Sequence, residues 1–151
     1  MTDTNEIKRY KVSLRLRHPT MDPDEISSSL ALKPSVTWKR GEQRRTSNGV
    51  VLEGSYDQSY WVGSLPMDSN PQGLVDTLEH YLLNLEKRAE FMRDFNNTGG
   101  NAEFFVGWFG TGGATFAWDL LERCAFLRIE LGMDVYGDDL QRFYGSTVVG
   151  L

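Results

Sequence analysis

Polar and apolar residues alternate from Lys8 onward, with Tyr10, Val12, Leu14 and Leu16 on one side and Lys11, Ser13, Arg15 and Arg17 on the other. A period of two is the signature of a β-strand, and here it predicts one buried face and one basic exposed face. His18-Pro19 ends the pattern. Asp22-Pro23-Asp24-Glu25 then opens a short helix: Asp22 caps, Pro23 suits the first helical position, and Glu25 completes a capping-box pattern. Ile26 and Leu30 give that helix its apolar face, while the weak helix formers Ser27-Ser28-Ser29 limit it to about three turns. Val36-Thr37-Trp38 reads as a short strand, Lys39 to Gly49 as a mobile loop, and about 57–65 as a further strand in which Tyr60 and Val62 alternate with Trp61.

After a connection from Pro66 to Pro71, helical spacing takes over. Asn70 is placed to cap and Pro71 to start a helix of about 24 residues, whose stripe runs through Leu74, Leu78, Tyr81, Leu82, Leu85, Ala89 and Met92. Asn96-Asn97-Thr98-Gly99-Gly100 terminates it. Glu103 to Phe109 is apolar at alternate and intervening positions alike, which predicts a central strand covered at least in part on both faces. Ala114 to Phe116 reads as a short extended piece and Trp118 to Phe126 as another helix. The last strand is expected from about Arg128 to Tyr136, with Ile129, Leu131, Met133 and Val135 facing in and Glu130, Asp134 and Tyr136 facing out. The tail holds Val148-Val149-Gly150-Leu151, material for one more edge strand.

The order strand, helix, strands, long helix, strand, helix, strand contains few βαβ repeats. It predicts an α+β fold in which helices pack on a largely antiparallel sheet: a ferredoxin-like core with an added helix–strand unit. Residues 1–7 are expected to be a disordered end and 8–151 a single domain.

Composition sharpens this picture in three ways. Apolar residues make up 40% and charged residues 25% of the 151, enough for a core without staples. The one cysteine, Cys124, allows no internal disulfide, and no apolar run is long enough for a signal peptide or a membrane span, so the expected setting is the cytoplasm. The net charge of −5 divides unevenly: residues 1–60 carry ten Lys/Arg against eight Asp/Glu (+2), and residues 61–151 carry six against thirteen (−7). An acidic whole argues against general nucleic-acid binding, which depends on phosphate neutralisation, while leaving room for a local basic site.

Several segments together carry a resemblance: MDPDEISSSLALKPS, the TWKRGE that follows, the YWVGSL strand, the amphipathic helix and LLERCAFLRIELGMDVYG. In their order and spacing the chain resembles the bacterial domain-of-unknown-function family numbered 4279 over nearly its whole length, with Pro34, Trp38, Gly41, Trp61, Asp134 and Tyr136 at the matching positions. The resemblance implies a single bacterial domain and brings no activity with it.

Candidate chemistry is sparse. His18 and His80 are the two histidines; His80, with Asn84 at i+4, shows no partner at a chelating offset, and neither residue has the spacing of a zinc site. No metal, cofactor or catalytic group is predicted. Cys124 falls among Leu120, Leu121 and Phe126, where a small buried residue belongs. Gly110-Thr111-Gly112-Gly113 lacks the Lys-Ser/Thr ending of a phosphate loop and reads as a turn. The strongest charge feature is Lys33, Lys39, Arg40, Arg44 and Arg45, interrupted by Glu42 alone and adjacent to Trp38. Glu130, Asp134 and Tyr136 with Asp138 and Asp139 form its acidic counterpart, and Lys11 and Arg15 could pair with them if the first and last strands are neighbours.

Two functions follow as expectations. The first is a non-catalytic module that binds another protein, of immunity or regulator type. The second is a small-molecule or anion site, enzymatic or not. The residues expected to carry either are Trp38, Lys39, Arg40, Glu42, Trp61, Asp134 and Tyr136. Tryptophans left at a groove or edge are natural anchors for such contacts.

Overall fold

The computed structural model describes residues 9–64 and 71–137. The expected disordered end 1–7, the Asn70 cap, Asp138, Asp139 and the Val148–Leu151 strand lie outside the described residues. The elements in order are β1 (Tyr10–His18), α1 (Pro23–Leu30), β2 (Pro34–Trp38), β3 (Gln43–Arg45), β4 (Val51–Ser55), β5 (Ser59–Gly63), α2 (Leu74–Glu86), α3 (Ala89–Asn97), β6 (Asn101–Trp108), α4 (Trp118–Phe126) and β7 (Ile129–Val135).

The main sheet runs β2-β5-β1-β6-β7. β1 is antiparallel to both β5 and β6, and β5 to β2. β1 and β2 therefore run the same way with β5 between them, and β5 and β6 run the same way with β1 between them. This pair of split βαβ units is the ferredoxin-like arrangement. α4 and β7 extend it, with β7 parallel to β6 at the edge. The fold is the one the order of elements predicts.

Alternation decides which face is covered. Leu14 and Leu16 of β1, Trp61 of β5, and Ala102, Phe104 and Val106 of β6 are buried against the helices. Ile26 and Leu30 of α1, Leu78 and Leu82 of α2, Met92 and Phe95 of α3, and Leu120 of α4 complete that core. Each Leu, Ile, Val, Phe or Met side chain among them contributes about 1.5–3 kcal/mol by leaving water, so this face fixes the register of the strands that carry them. The opposite face carries Lys11, Ser13, Arg15 and Arg17, and among the described residues no helix lies over it.

The structure departs from expectation in four places. The long helix is two: α2 begins at Leu74 after Gly73, whose φ of 127° suits glycine, and α3 restarts at Ala89. Arg88 N bonds back three residues to Leu85 O, which ends α2 although the apolar stripe runs on through Met92. The stretch from Lys39 to Gly49 is not a loop throughout, because β3 within it pairs with β4 as a hairpin closed around Thr46 and Gly49. Ala114 to Phe116 forms no strand. Met133 and Val135, on the helix side of β7, are 41% and 66% exposed, since they lie at an edge that α4 only partly covers.

Candidate functional site

β1 provides the floor of the site. Its odd residues project from the uncovered face, and β6 adds Phe105 beside Ser13 while β5 adds Tyr60 opposite Arg17. The β3–β4 hairpin, a separate two-stranded sheet, shares one concave surface of about 1290 Å³ with that face. Lys11, Arg15, Arg17, Arg44 and Arg45 line it, with Glu42 the one carboxylate among the described lining residues. A locally cationic groove thus sits in an acidic chain.

Aromatic rings build its walls. Trp38, at the end of β2, stacks on Tyr56 with ring centres 4.5 Å apart and planes 10° apart, and leans on Tyr60 at 4.3 Å. The Arg15 guanidinium lies 3.6 Å from the centre of the Phe105 ring, and that of Arg17 lies 4.9 Å from the Tyr60 ring. Gly107 has no side chain, so Tyr136 comes over it from the edge: a Cβ there would stand 3.7 Å from the Tyr136 ring. Tyr136 donates its hydroxyl proton to Asp134 Oδ2 at 3.3 Å. Burial, then the Asp134 charge and this hydrogen bond, push the phenol above its ordinary value against an opposing pull from Arg15. Near neutrality Tyr136 is a hydrogen-bond donor and not a base.

Of the residues expected at the site, Trp38, Glu42 and Tyr136 come together in this groove. Asp134 joins through Tyr136. Lys39 turns away to Asp22 Oδ2 at 2.9 Å, beside the N-terminus of α1 that Asp22 caps by accepting from Asp24 N. The bond from Asp24 N and then Lys39 hold the Asp22 carboxyl below its ordinary range, and Asp22 in turn raises Lys39. Arg40 is exposed outside the groove, and its backbone N donates to Ser59 Oγ. Trp61 does not belong to the site: it is fully buried on the helix face, and its Nε1 donates to Ser27 Oγ at 2.9 Å. Phase along β5 decides this, because Trp61 pairs with Leu16 and shares its face.

The condition for pairing Lys11 and Arg15 with the acids of the last strand is not met, since β6 lies between β1 and β7. The register instead sets Arg15 opposite Glu103 and Glu103 opposite Glu130, with Lys11, Gly107 and Asp134 in a second row. Lys11, Arg15 and Arg17, expected only as an exposed basic face, line the groove as well. The signal was the absence of any acid in that alternation.

Metal and thiol chemistry find little support in the geometry. His80 does have an acidic partner one turn back, Asp76, whose Oδ1 lies 3.5 Å from Nδ1. Among the described residues no group of three or more His, Cys, Asp or Glu side chains is placed to hold a metal ion. Cys124 is buried as its helical position implies, and desolvation raises its thiol above the ordinary value despite Arg123. It remains a protonated core residue. No helix among the described residues is long and apolar enough to cross a membrane.

Fold and site together define a ferredoxin-like α+β domain with a basic, aromatic-walled groove on its uncovered sheet face. The chain belongs to the family described as Domain of unknown function (DUF4279), whose model matches residues 8–138. No curated protein and no solved structure matches it.

Proposed function

We propose that this chain is a non-catalytic binding module that captures an anionic ligand or partner on the uncovered face of its sheet. The observation that carries this reading is charge: five cations against one carboxylate line a single concavity in a chain of net charge −5. Arginines in a partly enclosed groove pair strongly with carboxylate and phosphate groups. An interaction module of regulator or immunity type fits this surface, and the cytoplasm suits its one buried thiol. The enzymatic alternative loses support with the removal of Trp61 from the pocket. It also lacks a nucleophile held against a base among the described lining residues.

Titration of the ¹⁵N-labelled protein with inorganic pyrophosphate tests the reading. Amide shifts should concentrate at residues 11–17, 36–46 and the Trp38 indole. Shifts scattered over α1 to α4, or none at millimolar pyrophosphate, would overturn it.

A further inference from the structure

We infer that the occupant of this groove is an extended acidic segment of a partner protein, held between the β1 cations and the β3–β4 hairpin. The inference rests on the anion-binding reading above and specifies what the anion is.

The cations form two banks. Lys11 and Arg17 rise from the sheet, and Arg44 and Arg45 face the same space from the hairpin. The hairpin arginines donate to backbone carbonyls, Arg44 to Glu53 O and Arg45 to Gly49 O. Among the described residues, no ion pair engages Lys11, Arg17, Arg44 or Arg45. Small-molecule sites are commonly about 300–1,000 Å³, and this groove, at about 1290 Å³, exceeds that range. Cations from two separate sheets lining one groove suit a ligand with negative groups on more than one side.

An extended peptide has that property, because successive side chains point in opposite directions. Its same-side groups recur at about 6.6–6.8 Å, the spacing at which Arg15 and Arg17 recur along β1. Lys11 to Arg17 covers six steps, about 20 Å of extended chain. A run of about six residues rich in Glu or Asp would therefore meet the floor with one set of carboxylates and the hairpin with the other.

Single-stranded nucleic acid also has a regular anionic repeat, but the rings argue against it. Base binding to a sheet face uses aromatic faces that are open to the base. Here Trp38 is engaged with both Tyr56 and Tyr60, Phe105 lies under Arg15, and Tyr136 stacks on Phe109 at 5.3 Å. The −7 balance of residues 61–151 would also repel a long polyanion that overran the groove, whereas a short acidic segment ends inside it.

The test measures binding of fluorescein-labelled hexaglutamate to the whole chain at low salt, with unlabelled hexaglutamate and hexauridylate as competitors. The variants are K11Q/R17Q, R44Q/R45Q and R44K/R45K, each checked for folding by circular dichroism. Hexaglutamate should bind the parent chain, and each Gln pair should weaken it by roughly tenfold. R44K/R45K should keep most of the affinity, which separates lost charge from a disturbed hairpin. If hexauridylate displaces the label at lower concentration than hexaglutamate does, or if neither Gln pair weakens binding, the peptide assignment is wrong. If hexaglutamate fails to bind while pyrophosphate still shifts the groove amides, the inference falls and the anion-binding reading stands. If neither binds, both fall.

Discussion

The indole of Trp38 lies flat against Tyr56, with ring centres 4.5 Å apart and planes at 10°. This contact joins the end of β2 to the base of the β3–β4 hairpin, and so fixes the hairpin against the sheet whose basic face it borders. Backbone bonds from Gly41 N to Tyr56 O and from Tyr56 N to Glu42 O close the same junction. Gly41 reaches it with a φ of 88°, a conformation open to glycine and costly for most other residues.

Removing the ring should loosen the hairpin and leave the core intact. An aromatic pair of this kind contributes about 0.5–1.5 kcal/mol beyond its buried area. In Trp38→Ala the amides of residues 42–55 should exchange faster with deuterium, while those of Leu14 and Phe104 keep their protection. Tyr56→Phe keeps the stack and loses the hydroxyl bonds to Arg45 N and O, at 3.4 and 3.3 Å, so its effect should be smaller.

Trp61 makes the opposite prediction. It is fully buried and anchors Ser27 of α1, so Trp61→Ala should cost about 3–5 kcal/mol in urea unfolding. Gly63→Ala should also destabilise, by about 1–3 kcal/mol, because a Cβ at Gly63 would stand 2.2 Å from the Trp61 ring. Variants that still fold should bind anions as the parent does, since both residues face away from the groove.

His18 links stability to pH. It is buried at the end of β1; its Nδ1 accepts from Thr20 N and Met21 N, and Thr98 Oγ1 lies 2.9 Å from Nε2. Thr98 donates its own proton to Asp94 O, so Nε2 donates to Thr98 and the ring is neutral. Desolvation lowers its pKa below 6.5, against an opposing pull from Glu25. As pH falls through 6.5 the unfolded chain takes up the proton first. The unfolded state then binds more protons, and stability falls. The contribution is complete above 6.5 and is lost as pH drops through the folded value. Urea midpoints measured between about pH 7.5 and 5.5 should decline in the parent chain and decline less in His18→Gln.

Which parts of this were legible in the sequence follows from what burial leaves in the pattern. β1 and α4 bury one face each, so alternation and helical spacing report them within a residue or two, while β6 shows as a nearly continuous apolar run because Phe105 and Gly107 of its second face are also at least partly buried. The ferredoxin-like core followed from the order of those elements, but the place of β7 beside β6 did not. The β3–β4 hairpin was silent because every residue of its two strands is exposed. Turn chemistry at Thr46 and Gly49 and backbone pairing hold it, and neither writes an apolar period. The break between α2 and α3 was hidden for the opposite reason, since Leu85 and Met92 keep one stripe across it. Trp38 and Tyr136, which line the groove, stand out in the sequence as aromatic residues beside charge. Trp61 misled because a tryptophan near a candidate groove reads the same from either face of its strand. Its partner in register, Leu16, settles the face, and pairing is not visible in one chain's sequence.

The central claim is that the uncovered sheet face, and not the overall charge of the molecule, binds anions. Its most direct test is pyrophosphate titration of the Trp38 indole resonance in three proteins: the parent chain, K11Q/R17Q, and R93Q/R128Q. The last loses the same charge on the helical side, where Arg93 bonds Phe126 O and Arg128 bonds Ala125 O. Saturable shifts are expected in the parent and in R93Q/R128Q, and affinity weakened by roughly tenfold or more in K11Q/R17Q. Equal weakening in both variants, or none in K11Q/R17Q, would contradict it.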